Sequence, residues 1–205
     1  MAVRTERPTQ AERRARSRTA LLEAAARGLS RYGYGHLRLE EVAREAGYTR
    51  GALYHQFDDK TELALAVIRW VDESWRAEVG PLIDRESDPV DALIAMARGH
   101  AVFCRRDVAR VVMALRVEFS GQDHPVGREI ERISESGIKR VVRLIKAGRR
   151  DDSIPPGPPA RATALAFVGG LEGAVIALAG QVPHDEELAA RVAAGVLGLD
   201  SSPPR

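Results

Sequence analysis

Polar chemistry in this chain of 205 residues gathers between Leu39 and Phe57, in the run LEEVAREAGYTRGALYHQF. Thr49, Arg50, Tyr54, His55 and Gln56 are donors and acceptors with no acid among them, and Gly51 leaves bare backbone in their midst. Such a surface suits a DNA major groove, where base edges offer acceptors between flanking phosphates. The elements that would present it follow from the spacing. Leu39, Val42, Ala43 and Ala46 recur at i, i+3, i+4 and i+7, which predicts a short helix over about 39–46. Gly47 breaks it, and Thr49 is placed to cap a third helix running to about Phe57. Val42, Leu53 and Phe57 would pack the pair onto the preceding helix, with Ala43 small at the crossing. Two short helices joined by a tight glycine turn have the form of a helix-turn-helix; the same spacing also fits a small three-helix unit that binds nothing.

Other chemistry is not assembled in the sequence. No nucleophile–base pair, paired acids on one face or phosphate loop stands out, and the five histidines lack metal-ligand spacing. The chain is therefore not expected to be an enzyme or to need a cofactor or metal. The single Cys104 rules out an internal disulfide, suits a reducing cytoplasm and reads as a buried, inert thiol, although Arg105 and Arg106 adjoin it. A net charge of +2 says little about partners, but residues 1–18 hold six arginines (Arg4, Arg7, Arg13, Arg14, Arg16, Arg18) against Glu6 and Glu12. A basic arm of this kind can track a phosphate backbone, and it is equally an ordinary solvated terminus. No apolar stretch follows it, so no signal peptide is expected and the expected location is cytoplasmic.

The periodicity predicts an all-α chain of about nine helices, with no alternation that would suit a strand. The first covers about 10–32, with Leu21, Leu22, Ala25, Leu29 and Tyr32 inward and Gly33 and Gly35 as its stop. Asp58 and Asp59 offer caps for a fourth helix that turns Leu63, Val67, Ile68, Val71 and Trp75 inward and ends near Val79, before Pro81. Helices over about 89–106, 107–119, 125–149, 160–181 and 185–198 follow. The run DDSIPPGPP (151–159) is the clearest loop, and the tail SSPPR is expected to be disordered. The stretch from Ala162 to Val182 is long enough to span a bilayer, but Glu172 at its middle would cost about 2.5–3.5 kcal/mol there, so a close-packed helix outside a membrane is expected.

The run EEVAREAGYTRGALYHQFDDKTEL, with TALLEAAARGLSRYGYGHL before it, resembles the DNA-binding segment of the TetR/AcrR family of bacterial repressors over about residues 14–65. The resemblance implies a homodimeric transcriptional regulator, in most cases a repressor that a small molecule releases from a palindromic, double-stranded operator. It implies a DNA-binding unit over 1–62, with its motif at about 38–57, and a helical effector-binding and dimerisation unit over 63–205. Thr49, Arg50 and Gly51 would then approach bases, with Arg50 reading a guanine and Ala52 touching a thymine methyl. Tyr54 and His55 match positions that hold phosphates, as does Lys60 at the start of the next helix. Three departures stand out. Gln56 replaces a frequent histidine and suggests a base contact. Leu37-Arg38 replaces a hydroxyl pair, so that Arg38, beside Leu39, would meet a phosphate or the minor groove. Asp58 is acidic where the family is often neutral or basic, and is expected to cap the fourth helix.

By the same resemblance an effector pocket is expected among the central helices, from Trp75, Met96, His100, Phe103, Cys104, Met113, Glu118 and Phe119. The last two helices read as a dimer surface, with Leu165, Val168, Leu171, Val175 and Leu178 on one and Leu188, Val192 and Val196 on the other. An all-helical enzyme, and a DNA-binding protein without an effector, remain the alternatives at this point.

Overall fold

The structure, a computed structural model, describes residues 9–199. The arginines Arg4 and Arg7 and the SSPPR tail therefore lie outside the described residues. Those described form nine α-helices and one 3-10 turn, with no strand among them. The first, α1 (Gln10–His36), starts at a capping box in which Thr9 accepts from the Glu12 amide and Glu12 reaches back to the Thr9 amide. It continues past the expected stop, but Gly33 interrupts its geometry at φ 72, ψ 175, a conformation open to glycine alone. Leu21, Leu22, Ala25 and Leu29 are buried as expected. Tyr32 is 57% exposed instead, because the break at Gly33 ends the buried stripe one turn earlier.

The short helices α2 (Leu39–Glu45) and α3 (Arg50–Tyr54) follow, and Phe57, Leu53, Leu21 and Leu29 make the centre of the N-terminal core. The fourth, α4 (Lys60–Asp84), is capped by Asp59, whose carboxylate accepts from the Glu62 amide; Asp58, expected in that role, contributes only its own amide to the Glu62 carboxylate. The helix runs through Pro81 rather than stopping before it. The proline side is exposed, while Val79, Gly80 and Ile83 are buried, and the burial of Ile83 one half-turn on outweighs one lost backbone bond.

Pro89 opens α5 (Pro89–Phe103), with Asp88 capping it. The expected single helix at 107–119 is a 3-10 turn (Asp107–Arg110) leading into α6 (Val111–Glu118). Then come α7 (Pro125–Gly148), α8 (Ala160–Leu178) and α9 (His184–Leu197). In the body, α4 packs on α5 and α7, α7 on α8, and α9 on both α5 and α8. Ile68, Leu93, Leu115, Ile130, Ile145 and Phe167 fill the space between them. Two helices join the halves: α1 lies against both α4 and α6.

Candidate nucleic-acid interface

The α2–α3 unit is built on its turn. Gly47 takes φ +76, which a side chain would strain, and the Tyr48 amide closes the turn on the Ala43 carbonyl at 2.8 Å. Thr49 caps α3 by accepting from the Ala52 amide at 3.2 Å. Val42, Ala43, Leu53 and Phe57 are buried, which leaves Thr49, Arg50, Gly51, Tyr54 and His55 exposed together and Ala52 at their edge. The guanidinium of Arg50 lies 5.3 Å from the Tyr54 ring centroid and 3.0 Å from Glu40. At 63% exposure that ion pair is weak and leaves the guanidinium of Arg50 accessible. Arg38 is exposed at the start of α2, and Leu39 is half-buried beside it.

Two expected contacts are redirected. The Gln56 amide group donates to Ser17 Oγ at 2.9 Å and is half-buried against α1, so this side chain ties α3 to α1 instead of facing outward. Lys60 Nζ donates to the carbonyls of Tyr34 at 2.9 Å and Gly35 at 3.3 Å, and sits 4.5 Å from the centroid of the Tyr34 ring. It closes the end of α1, where backbone carbonyls lack helical partners and attract a cation. Arg13, Arg14, Arg16 and Arg18 remain exposed along α1, with Arg18 stacked over Phe57 at 4.6 Å.

The end of α1 is also where the body grips this unit. Glu118, at the end of α6, accepts from the amides of Tyr34 at 2.6 Å and Gly35 at 2.8 Å. The Tyr34 hydroxyl bonds Thr61 on α4 at 2.9 Å, and its ring meets Phe119 edge-on, with His124 stacked behind. Neither Glu118 nor Phe119 reaches the pocket for which the sequence suggested them. They form the junction between halves, a role with no periodic signature, since the partners are backbone amides freed by the Gly33 break.

A family model of bacterial regulatory proteins, tetR family, matches residues 21–67, the span that holds this unit and its supports. CymR of Pseudomonas putida, an HTH-type transcriptional regulator, is 41% identical over 68 residues, 33% of this chain and 34% of that protein. BepR of Brucella suis, an HTH-type transcriptional repressor, is 29% identical over 176 residues, 80% of this chain and 82% of that protein. The crystal structure of SCO4454, a TetR-family regulator from Streptomyces coelicolor, shares the fold with a TM-score of 0.73 at 22% identity, over 90% of this chain and 95% of that one.

Residues 21–67 thus match the tetR family, and the chain as a whole shares the fold of TetR-family regulators. Its relatives are named as regulators rather than enzymes.

In the C-terminal part a cavity of about 410 Å³ lies between α4, α5, α6, α7 and α8. Trp75, Met96, His100, Phe103 and Met113 line it. Cys104 does not; it is buried behind His100, and burial pushes its thiol up to about 12. Sequence reasoning missed the polar wall: Arg116 pairs with Glu172 at 2.5 Å and with Ser134 Oγ at 2.9 Å. Their spacing along three different helices carries no local signal. Trp75 Nε1 donates to His100 Nδ1 at 3.1 Å, and burial, assisted by the charge of Arg116, lowers the imidazole to about 4. His100 is thus neutral near pH 7.

The suggested dimer helices divide by burial. Leu171 and Val175 are in the core, and Val168, Leu178, Val192 and Val196 are half-buried, because α8 packs on α7 and α9 through that side. Leu165 at 49% exposure, Ile176 at 70% and Leu188 are the apolar side chains left outside, beside Gly169, Gly173 and Gly195, which have open space where a Cβ would stand. α8 is long and apolar enough to cross a membrane, with a mean hydropathy of 1.5, but its Glu172 is committed to Arg116 and its other side to packing.

Proposed function

We propose that the chain is a homodimeric transcriptional repressor that reads a palindromic operator through α2–α3 and is released by a small molecule in the cavity. Residues 1–62 serve as the reading unit and 63–205 as the sensing and dimerising unit. The supporting observation is the course of α6. Its Met113 and Arg116 line the cavity, and its Glu118 holds the Tyr34 and Gly35 amides at the end of α1. A ligand that repositions α6 therefore acts on the orientation of the reading unit, and it shifts DNA affinity by no more than its own preference between the two orientations. In a dimer with two reading units, a change in their separation breaks the match to half-sites about 34–36 Å apart.

Selection of bound DNA from a random pool, followed by footprinting, is the direct test. A discrete palindrome is the expected result, and even coverage of any duplex would count against the reading. On the selected site Arg50→Ala should lose about 1–3 kcal/mol of discrimination at one base pair in each half-site while non-specific affinity holds. Retention of full selectivity by Arg50→Ala would remove α3 from the major groove.

A further inference from the structure

We infer that the cavity takes an organic anion, with an apolar body inside and a carboxylate or phosphate at a basic rim on α7. This rests on reading the cavity as the effector site. Its inner wall is mostly apolar, from Val71, Met96, Phe103, Met113, Ile133 and Phe167. The charges on the inner wall are already paired: the partly exposed Arg116 is bound to Glu172, and the half-buried imidazole of His100 is uncharged and accepts from Trp75. A ligand charge placed there would have to compete with an existing pair. The ligand's charge therefore belongs at the opening.

The opening is cationic. Arg76, Lys139, Arg140 and Arg143 stand among its lining residues, with Asp72 as the acid beside them. Asp72 is taken by Arg76 at 3.0 Å, and Arg140 by Asp84 at 2.6 Å. Lys139 and Arg143 make no ion pair among the described residues; Glu135, one turn before Lys139, is held by Arg161 through two bonds. Four residues apart, Lys139 and Arg143 share one face of α7. They are exposed at the rim and available to an anion.

Gly137 completes the opening. Glycine inside a helix is unfavourable relative to alanine, and such a position usually has a packing reason. Here no atom lies within 4 Å of where its Cβ would stand, so close packing does not require it. It lines the cavity and leaves open space where a side chain would stand. The volume suits a small organic ligand.

Calorimetric titration of the full-length protein with four probes of equal chain length tests this: decanoate, decanoyl coenzyme A, decanol and decyltrimethylammonium. At least one anion should bind on the order of ten-fold tighter than the alcohol and the cation, and the order of the two anions tells a carboxylate site from a phosphate site. Lys139→Gln with Arg143→Gln should erase that margin and leave decanol unchanged, because both side chains are exposed and outside the apolar wall. Gly137→Leu should block every probe by filling the opening, while circular dichroism shows the fold intact. Decanol or the cation binding as tightly as the anions, or no anion binding at all, would overturn the assignment. Operator gel shifts run in parallel keep the two readings apart. An anion that binds without releasing operator overturns the effector role and spares the ligand class. Release by a neutral or cationic ligand does the reverse.

Discussion

His100 carries a pH dependence that can be read from its surroundings. Burial and the nearby Arg116 lower it to about 4 from an ordinary 6.5, so the fold favours the neutral ring. The unfolded chain binds the proton more readily, and the contribution to stability is complete above pH 6.5 and lost as pH falls toward 4. The loss amounts to at most about 3 kcal/mol. His100→Gln, which can still accept from Trp75, should flatten the denaturant midpoint across that window. Asp185 acts in a different window: the hydrogen bonds from Arg105 lower it to about 2, so its contribution is lost only as pH falls from about 4 to about 2. A slope between 6.5 and 4 that survives His100→Gln would put the titration elsewhere. Lys60 also yields a prediction at this scale. Its ammonium bonds two backbone carbonyls, so Lys60→Ala should cost about 1–2 kcal/mol of stability and leave the salt dependence of DNA binding unchanged. A salt slope shallower by about 0.9 would instead count one lost phosphate contact.

In the proposed function, the junction of α1, α4 and α6 is the element that would carry a signal from cavity to DNA. Gly33 turns the chain, two amides are freed, and Glu118 accepts from both. A Cβ at Gly33 would lie 2.8 Å from the Glu118 carboxylate, so the break and the acceptor fit only as a pair. Glu118→Ala leaves the partly buried Tyr34 N–H unpaired and the exposed Gly35 N–H to solvent, which should cost about 1–3 kcal/mol by chemical denaturation. It should also weaken the response of DNA binding to ligand, whereas Glu118→Gln, keeping one acceptor oxygen, should retain most of both. If Glu118→Ala responds to ligand as the parent chain does, the signal takes another route. The helix-turn-helix was legible because its burial repeats along one chain segment: Val42, Ala43, Leu53 and Phe57 are spaced by helical geometry and are buried. Thr49 was legible as a cap for the same local reason. Gln56, Lys60, Glu118 and the Arg116–Glu172 pair were not, because each is paired with a residue or backbone group on a different helix. A periodic pattern identifies which face is buried, and says nothing about what lies opposite. Pro81 misled for a related reason, since the tertiary burial of Ile83 overrides the local signal to stop.

At the scale of the whole molecule, the proposed dimer would form through the outer side of α8 and α9, and so bring two reading units together. The sequence placed Leu165 and Val175 on one stripe, but the fold separates them: Val175 is 2% exposed, and its neighbour Ile176 stands out at 70%. The two substitutions Ile176→Glu and Val175→Glu therefore test different things. A carboxylate at 175 would be buried without a partner, at a cost of several kcal/mol, so that variant should lose its cooperative unfolding transition or unfold several degrees earlier. A carboxylate at 176 is solvated in the monomer and meets its own copy across a two-fold axis only in the dimer, where like charges oppose association. Sedimentation should then show a folded monomer for Ile176→Glu, with operator affinity reduced because each half-site is bound separately. Leu165→Glu should behave in the same way, since its side chain lies on the same outer face. An intact dimer in both exposed variants would move the interface off α8, and with it the spacing between the two recognition helices.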